Sequence, residues 1–549
     1  MPNFKSRISK SSKTYEQNRM MMLERVTRLR GLEDRAKSAS DKRKPVFEKR
    51  GQLTPRERVV RLLDPGMPFL RLHSLANYLL DDPNPETSIP GGSILLGIGF
   101  VSGVRCLIWA DDSGIRAGAA TTGGLEALLS ALDIAEAQKL PVVHLVESAG
   151  ANLLEYRVEL WARGGAVFFK LARLSAAGIP TLAVLHGPST AGGAYMPGMS
   201  DYVVGVKANG MAALAGAALV RAATGEIAEE RALGGSEMHA TVSGLVEYLA
   251  EDDSHALTIA RDIVARLGWN DHVVAVRPRL GELAPGLSEG APPLYDPDEL
   301  AGVVPVDYRK PYDVREVLIR VVDGSEFSEF KPRYGNATVC VKTKVMGMAC
   351  GVVGNNGPID PDGAAKGAQF FQLCDQSNIP IIFLNNITGY MVGTEYERAG
   401  MIKHGAKMIQ AVSNVRVPRI ALYIGASYGA GNYGMSGYAF RPDFLFAWPI
   451  AATGVMGGEQ AAEAMALVAE SIATRKGQTI PAEALQAQKE AIRADFHRQE
   501  DAFYTSGRVL DHGVIDPRDT RRVLGFALET CLEARRRQLQ PNSFGVARM

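Results

Sequence analysis

Short apolar runs alternate with longer amphipathic stretches through most of the chain. The apolar runs that read as buried strands are 142–146, 181–185, 381–384 and 420–424. Helical periodicity is clearest over 125–138 and 367–376, each just before one of these runs. Strands that are apolar on both faces and joined by helices are typical of a parallel sheet covered by crossover helices. The pattern therefore predicts an α/β fold.

The pattern also repeats within the chain. Three segments of the first half recur in the second half in the same order, roughly 240 residues later. The pairs are 100–112 with 344–356, 140–150 with 379–389, and 179–198 with 417–436. Matched glycines support the alignment, since Gly103 falls on Gly347 and Gly193 on Gly431. The chain is therefore predicted to contain a duplicated domain.

A Pro-rich stretch at 276–310 lies between the two copies, and its composition is that of a linker. A chain of 549 residues is also too long for one hydrophobic core, because cores stop growing at roughly 250–300 residues. We therefore expect an N-terminal domain over 1–275 and a C-terminal domain over 311–549.

Composition and charge exclude several classes of protein. Lys and Arg number 61 against 60 Asp and Glu, so the net charge of +1 argues against a nucleic-acid binder. The longest apolar runs are far shorter than the roughly 20 residues of a membrane helix, so no membrane span is expected. The five cysteines form no CxxC pair, which predicts neither a disulfide framework nor a zinc site. The first residues are basic with no apolar run behind them, so a secretory signal is not expected.

Candidate chemistry lies in two glycine-rich turns after matched strands, STAGGAY at 189–195 and SYGAGNY at 427–433. Each precedes a helical segment, so free backbone N–H groups should point out of the turn at a helix N-terminus. Two such groups aimed at one point form an oxyanion hole, and two holes suit a reaction in which both partners have a carbonyl to polarise. The alternative is that the glycines only permit tight packing between strand and helix.

Several familiar catalytic motifs do not occur in the sequence, among them GxSxG, HExxH and the P-loop. The histidines show no metal-ligand spacing, so no metal is expected on this chain. His144, inside an apolar strand, is expected to be a core residue, while His186 lies nearer the first turn and is the alternative candidate for a base. A protein without its own nucleophile, metal or redox cofactor takes its reactivity from its substrates. Thioesters, whose α-carbon anions are enolates, meet that requirement.

Longer motifs resemble the carboxyltransferase (beta) subunit of biotin-dependent acyl-CoA carboxylases. They include GQLTPRERVVRLLDPG, STAGGAYMPGMSDY, IGASYGAGNYGMSGYAFRPDFLFAWP and GVMGGEQAA, and the similarity extends over nearly the whole chain. Within that family the chain looks closest to the 3-methylcrotonyl-CoA and geranyl-CoA carboxylases. The resemblance implies two tandem crotonase-like (ClpP-type) ββα-superhelix domains, with acyl-CoA on the N-terminal domain and biotin on the C-terminal one. It also implies a homohexameric beta core, with each active site between domains of two subunits.

Carried over residue by residue, the resemblance gives the two turns separate roles. Gly192 and Gly193 would hold the thioester carbonyl as its enolate forms, and Ala430 and Gly431 would hold the ureido carbonyl of biotin. Carboxybiotin would supply the CO2, and biotin would take the proton. The remaining candidates are, for the substrate, Ala191, Tyr195, Gly164, Gly165, Phe168 and Arg221, and, for biotin, Gly429, Tyr433 and Gly389.

Biotin itself is expected on a partner protein. The sequence has no MKM biotinylation motif and no Gly-rich ATP-binding region. By resemblance, both belong to an alpha subunit with biotin carboxylase and biotin carrier domains, and coenzyme A enters only as part of the substrate. The family's role in leucine or isoprenoid catabolism implies the cytoplasm of a bacterium, or the mitochondrial matrix of a eukaryote.

Departures from the family pattern bear on the substrate. Gly164 and Gly165 leave room where larger side chains would close a pocket, which favours geranyl over 3-methylcrotonyl; drift on a helix surface is the alternative. Arg221 and Lys366 are candidates to meet the phosphates of CoA, or else are solvated surface charges. Other functions left open are a propionyl-CoA type of carboxylase, a biotin-dependent decarboxylase and an assembly scaffold without activity.

Overall fold

The computed structural model describes residues 4–150, 157–274 and 290–546, and these form two compact units. The first unit takes in residues 30–150, 157–274, 507–509 and 530–546, and the second takes in 4–29, 290–506 and 510–529. Each unit thus receives a segment from the opposite end of the chain. The simpler domain limits drawn from the sequence, 1–275 and 311–549, remain a prediction.

Each unit is built on one sheet. The strands of the first sheet are β1 (Leu70–Leu72), β2 (Ile94–Val101), β3 (Val104–Asp111), β4 (Val142–Ser148), β5 (Thr181–Thr190), β6 (Tyr202–Val206), β7 (Met211–Ala213) and β8 (Tyr248–Ala250). The strands of the second sheet are β9 (Phe327–Phe330), β10 (Thr338–Val345), β11 (Met348–Asn355), β12 (Ile381–Ile387), β13 (Arg419–Tyr428), β14 (Phe444–Ala447) and β15 (Ala452–Gly454). The first sheet runs β1-β2-β3-β4-β5-β6-β8 with β7 beside β5, and the second runs β14-β13-β12-β11-β10-β9 with β15 beside β13.

Helices connect the strands and flank the sheets. Those in the first half of the chain are α1 (Lys13–Asp41), α2 (Lys44–Lys49), α3 (Pro55–Leu62), α4 (Thr122–Gln138), α5 (Val158–Ala176), α6 (Tyr195–Met199), α7 (Ala217–Thr224), α8 (Glu230–Gly234), α9 (Ser236–Met238) and α10 (Asp253–Arg266). Those in the second half are α11 (Leu300–Val303), α12 (Val314–Leu318), α13 (Pro361–Gln376), α14 (Thr394–Arg398), α15 (Met401–Asn414), α16 (Gly429–Gly434), α17 (Gly458–Arg475), α18 (Ala482–Glu500), α19 (Ala502–Gly507) and α20 (Thr520–Arg536). The predicted helices over 125–138 and 367–376 are α4 and α13. Among the described residues, no helix combines the length and the apolar character needed to cross a membrane.

Both sheets follow one plan, an antiparallel hairpin followed by parallel strands. β2 pairs with β3 and β10 with β11 in antiparallel register, and the strands from β3 to β6 and from β11 to β14 are parallel. Even the irregularities match, because the β4–β5 register shifts between Val146 and Ser148, and the β12–β13 register shifts between Asn385 and Ile387. The predicted α/β class and the predicted duplication are confirmed.

A carboxylate clamps the hairpin turn of the first unit. Asp64 accepts hydrogen bonds from the amides of Ser102 at 2.9 Å and Gly103 at 2.7 Å, and it pairs with Arg261 at 2.7 Å. Both turn residues have positive φ, 50° and 77°, which a two-residue hairpin turn requires. Asp64 therefore fixes the conformation of this hairpin turn, of which the sequence repeat had shown only Gly103.

The second unit has the same clamp at the matching place. Asp323 accepts hydrogen bonds from the amides of Met346 at 2.8 Å and Gly347 at 2.7 Å, and it pairs with Arg521 at 2.7 Å. The φ angles of the turn, 50° and 80°, repeat those of the first unit. The duplication thus extends to a side chain that the sequence alignment does not reach.

The predicted linker, 276–310, departs from its expected character. Residues 276–289 lie outside the described residues. The stretch Leu300–Val303 is buried in the second unit as α11 rather than exposed. A Cβ atom at Gly302 would lie 2.4 Å from the Tyr15 ring, so the two segments are in direct contact. The apolar side chains of Leu300–Val303 are the reason that this stretch is buried, although the composition around it is Pro-rich.

Residues 530–546 complete the first unit. Lys139 at the end of α4 donates to the carbonyl of Arg537 at 2.7 Å. A Cβ atom at Gly178, just before β5, would lie 2.4 Å from the carbonyl oxygen of Gln540. The core elements of this unit therefore pack against a segment made some 350–400 residues later, as the separation of 398 between Lys139 and Arg537 shows.

Candidate active site

The first glycine-rich turn follows β5. The strand ends at Thr190, Ala191 has a φ of 54°, and a 3-10 turn over Ala191–Ala194 leads directly into α6. The amides of Gly192 and Gly193 belong to the first turn after the strand, where N–H groups lack an acceptor within the helix. Gly192 is exposed and Gly193 is half-buried, so a ligand can reach the turn.

Aromatic side chains lie beside this turn. Phe168 on α5 packs edge-on against Tyr195, with ring centroids 6.3 Å apart, and its Cζ would lie 3.8 Å from a Cβ atom at Gly192. One turn earlier on α5, a Cβ atom at Gly164 or Gly165 would lie within 4 Å of no described atom outside its own helix. The structure therefore brings two predicted substrate residues to the turn, and the part of the chain that it describes leaves space open at the two glycines.

The second glycine-rich turn follows β13 in the same way. The strand ends at Tyr428, Gly429 has a φ of 55°, and α16 begins at once. Ala430 is exposed, whereas Gly431 is buried. A Cβ atom at Gly431 would lie 2.9 Å from the Cα of Gly389, so this position requires glycine for close backbone approach.

The two turns match in backbone as well as in sequence. Ala191 and Gly429 are the first residues after their strands, and their φ angles differ by a single degree. Tyr195 and Tyr433 occupy matching positions and are 53% and 46% exposed, so both are accessible to a ligand. The prediction of two equivalent turns, each between a parallel strand and a helix, is confirmed for their geometry.

The two basic candidates have different surroundings. Arg221 lies exposed on α7, shortly after β7, which pairs with the end of β5 over Pro188–Thr190. Lys366 on α13 is fully buried, and its Nζ has no hydrogen-bond partner among the described residues. Burial lowers the pKa of its ammonium group. Both predictions for Lys366, a phosphate contact and a solvated charge, are wrong because its side chain points into the second unit.

A buried cluster of charged side chains in the first unit was missed by the sequence motifs. Arg58 donates to Glu147 at 2.6 Å and to Asp253 at 3.0 Å, and all three are at most 4% exposed. The Nδ1 of His186 lies 2.9 Å from Asp253. Burial, together with the charge of Arg58, lowers the pKa of His186. His186 is also 0% exposed, so its imidazole is shielded from solvent and from a bound substrate, which argues against the alternative that it is a base.

His144 is a core residue, as predicted. Its ring stacks on Trp109 with centroids 3.4 Å apart, and its Nε2 lies 3.1 Å from Asp111. Only 4% of the residue is exposed. Its Nε2 thus has a structural partner inside the sheet.

The geometry of each turn defines what it can do chemically. Backbone amides fixed in a turn stabilise negative charge that develops on an oxygen, and they do so without exchanging a proton. Each unit offers one such turn at the end of its sheet. The pair is therefore suited to polarising two carbonyl groups.

Comparison with known proteins agrees with this chemistry. The carboxyl transferase domain family matches residues 47–546. A relative from Mycobacterium tuberculosis, named probable biotin-dependent acyl-coenzyme A carboxylase beta2 subunit, is 46% identical over 91% of this chain and 91% of its own length. The probable mitochondrial methylcrotonoyl-CoA carboxylase beta chain of Drosophila melanogaster is 41% identical over 99% of this chain and 95% of its own. The crystal structure of the geranyl-CoA carboxylase beta subunit from P. aeruginosa has a TM-score of 0.91 and 47% sequence identity, with 100% of both chains covered.

These matches confirm the resemblance read from the motifs, the enzyme class, and the two tandem crotonase-like domains. This chain therefore belongs to the carboxyl transferase family, the family of the beta subunits of biotin-dependent acyl-CoA carboxylases.

Proposed function

We propose that this chain is the carboxyltransferase subunit of a carboxylase for a branched, unsaturated acyl-CoA. The observation that carries the proposal is the pair of matched turns, each with amides in the first turn of a helix after a parallel strand. Carboxyl transfer has two carbonyls to polarise, one in the thioester and one in the ureido group of biotin. One oxyanion site for each accounts for both turns.

The turn of the first unit is assigned to the acyl-CoA. The amides of Gly192 and Gly193 hold the thioester oxygen as negative charge develops on it. Phe168 and Tyr195, which meet beside the turn, contact the acyl chain. Arg221, exposed on α7, meets the phosphates of coenzyme A. These roles would put binding and charge stabilisation on one face of the first unit.

The turn of the second unit is assigned to biotin, which arrives on a partner. Ala430 and Gly431 hold the ureido carbonyl, and the group fits because Ala430 is exposed while Gly389 keeps the turn close-packed behind it. When bound, carboxybiotin supplies the carboxyl group and a nitrogen that takes the proton. The acceptor of the substrate proton would thus come with that group, so this chain would need no base of its own.

The open space on α5 supports a long acyl group. Gly164 lies one turn before Phe168 and on the same face of the helix, since residues four apart are neighbours. Among residues 4–150, 157–274 and 290–546, no atom outside α5 lies within 4 Å of where a Cβ of Gly164 or Gly165 would be. A geranyl group exceeds 3-methylcrotonyl by one isoprene unit, and this space is where the additional unit is placed in the proposal.

The proposed assembly is a homohexameric beta core with biotinylated alpha subunits. Large apolar side chains on α5 are exposed, with Trp161 at 72% and Phe169 at 68%. The same holds on α17, where Leu467 is 66% exposed and Val468 58%. Apolar groups clustered on a surface are typical of a face that another subunit covers.

The test is carboxylation by the complete enzyme. The chain is purified with its biotinylated partner and assayed for ATP-dependent fixation of bicarbonate on geranyl-, 3-methylcrotonyl-, propionyl- and acetyl-CoA. Gly164→Phe and Gly165→Phe fill the space on α5. Gly31→Phe is the matched control, because Gly31 is an exposed helix glycine whose Cβ would likewise meet no described neighbour within 4 Å.

We expect wild-type enzyme to prefer geranyl-CoA. Filling the space should lower kcat/KM for geranyl-CoA by about tenfold or more and leave 3-methylcrotonyl-CoA within about twofold. A wild-type preference for 3-methylcrotonyl-CoA would contradict the long acyl group but keep the reaction. Absence of turnover with all four substrates, despite a biotinylated partner, would contradict the reaction itself.

A further inference from the structure

The two turns rest on different kinds of support. In the first unit, Ala194 of the turn packs against a buried apolar cluster that includes Val146 and Leu185, which pair across β4 and β5. The matching positions of the second unit hold Asn432, Asn385 and Tyr423. Asn385 and Tyr423 pair across β12 and β13 in the same register. Three apolar positions that pack in one cluster in the first unit are thus all polar in the second.

Asn432 is the centre of the polar set. Its Nδ2 donates to the hydroxyl of Ser427 at 2.8 Å and to the hydroxyl of Tyr423 at 2.9 Å. The Tyr423 hydroxyl also accepts the amide of Tyr438 at 3.1 Å, and the carbonyl of Asn432 accepts the amide of Gly437 at 2.9 Å. These bonds tie α16 to the strand before it and to the loop after it.

Asn385 provides a second tie to the same helix. Its Nδ2 donates to the carbonyl of Met435, the C-cap of α16, at 3.2 Å, and its Oδ1 accepts from Ser427 at 3.4 Å. Asn385 and Ser427 are 0% exposed, Tyr423 is 3% and Asn432 is 8%, so solvent does not compete for these bonds. The network therefore holds the short helix that carries the turn at two points, Asn432 and the C-cap Met435.

The first unit shows that the fold does not require this network. An apolar cluster supports the same strand, turn and helix there, with a φ of 54° at the first turn residue against 55° in the second unit. Apolar contacts are non-directional, so an apolar cluster stabilises the turn without fixing one orientation. A buried polar network costs free energy unless its groups are hydrogen-bonded to one another, and those bonds are directional. What a satisfied network adds is one fixed arrangement of the groups that it joins.

We propose that Asn432 is a positioning residue for the turn of the second unit. Through Tyr423 and Ser427 it fixes the helix so that the amides of Ala430 and Gly431 meet the ureido carbonyl of biotin. The inference rests on the proposed function of that turn. Such donors must be held within about 0.5 Å of the productive geometry. The small rings of biotin make few contacts, so binding of biotin itself does little to align a poorly ordered turn. Acyl-CoA, by contrast, is oriented by contacts to the large CoA group, far from the reacting carbonyl.

The experiment uses the complete enzyme with its biotinylated alpha subunit. Asn432→Ala removes the donor, Tyr423→Phe removes one acceptor and keeps the ring, and the double variant combines them. Asn414→Ala is the matched control, because Asn414 is exposed on α15 and its amide donates to the carbonyl of Gln410 in the same helix. Each enzyme is assayed forward on acyl-CoA, and in reverse with free biocytin as acceptor of the carboxyl group from carboxylated acyl-CoA.

The expected result is a loss confined to the biotin side. Asn432→Ala should lower kcat/KM for biocytin by about tenfold or more and leave KM for acyl-CoA within about twofold of wild type. Tyr423→Phe should lower it by about threefold. The double variant should lose less than the product of the two single losses, because both changes remove the Asn432–Tyr423 bond and only Tyr423→Phe also removes the bond to the Tyr438 amide. Asn414→Ala should match wild type, and the thermal midpoints of all variants should stay close together.

Wild-type kinetics in Asn432→Ala would overturn the inference. It would also be overturned if KM for biocytin and for acyl-CoA rose together while the thermal midpoint fell, which is the mark of a merely structural role. Additive losses in the double variant would overturn the coupling through Tyr423. If the wild-type enzyme carboxylated none of the acyl-CoA substrates, the proposed function itself would be contradicted. The assignment of the second unit's turn to biotin would then have no basis.

Discussion

Replacing Gly431 by alanine tests whether the turn of the second unit depends on its contact with Gly389. The new Cβ would lie 2.8 Å from the Cγ1 of Ile387 and 2.9 Å from the Cα of Gly389. A normal carbon contact is about 3.5–4 Å, so the helix or the facing segment has to move by roughly 0.6–1.2 Å. A displacement of that size misaligns the amide donors. Losing one such donor costs on the order of 3–4 kcal/mol of transition-state stabilisation, or about 10²–10³ in kcat.

The same substitution in the first unit should be milder. A Cβ at Gly193 would meet only the hydroxyl oxygen of Ser189, at 3.3 Å, among the described atoms within 4 Å. A serine hydroxyl rotates out of the way, so Gly193→Ala should lower kcat by no more than about tenfold. The two variants are thus a matched pair, one with a backbone obstacle and one without.

The assay is bicarbonate fixation by the complete enzyme at saturating substrate, with thermal unfolding of each variant measured in parallel. Gly431→Ala should lose at least about tenfold more kcat than Gly193→Ala. Equal losses in the two variants, or a wild-type rate in Gly431→Ala, would refute the steric argument. A fall in thermal midpoint that matched the loss of rate would show that Gly431 serves folding instead.

Two further predictions concern stability and pH. Arg58→Met leaves the buried carboxylate of Glu147 without its cationic partner, so the free energy of unfolding measured in urea should fall by about 3–5 kcal/mol. The control Arg416→Met removes an exposed ion pair and should cost less than about 1 kcal/mol. Equal effects of the two changes would contradict the burial argument. Burial lowers the pKa of His512 from 6.5 to about 4, and its neutral Nδ1 accepts the amide of Leu445 at 3.1 Å. The stability that neutral His512 contributes to the fold is therefore complete above pH 6.5 and is lost as the pH falls toward 4. Over this range the free energy of unfolding of the wild type should fall by about 3 kcal/mol more than that of His512→Asn. Parallel curves of unfolding free energy against pH would contradict this prediction.

Much of the fold could be predicted because its signals are local. The runs at 142–146 and 381–384 are apolar on both faces, and both are buried parallel strands, β4 and β12. Glycines at hairpin turns marked the repeat, since a positive φ favours them. The exchange of chain ends between the two units left no such signal. It depends on contacts between residues hundreds of positions apart, which no local pattern encodes.

The candidate site was predictable in part for the same reason. The glycine-rich turns stand out in sequence because backbone must approach a ligand or another backbone there. Their supports do not stand out, because Asn385 and Tyr423 sit in runs that otherwise read as plain strands. Lys366 was misjudged because a lysine in a helix is usually solvated, and only the packing around α13 shows that this one is buried.

The exchange of chain ends has a consequence for biosynthesis. A protein emerges from the ribosome from its N-terminus, and domains generally fold as they become complete. The first unit cannot become complete in that order, because α4 and the start of β5 are closed by residues around 537–540. The apolar sheet of the first unit therefore stays partly uncovered while the ribosome translates the whole second sheet. The nascent chain is therefore exposed to aggregation for about half of its synthesis, for a reason set by topology rather than by low stability.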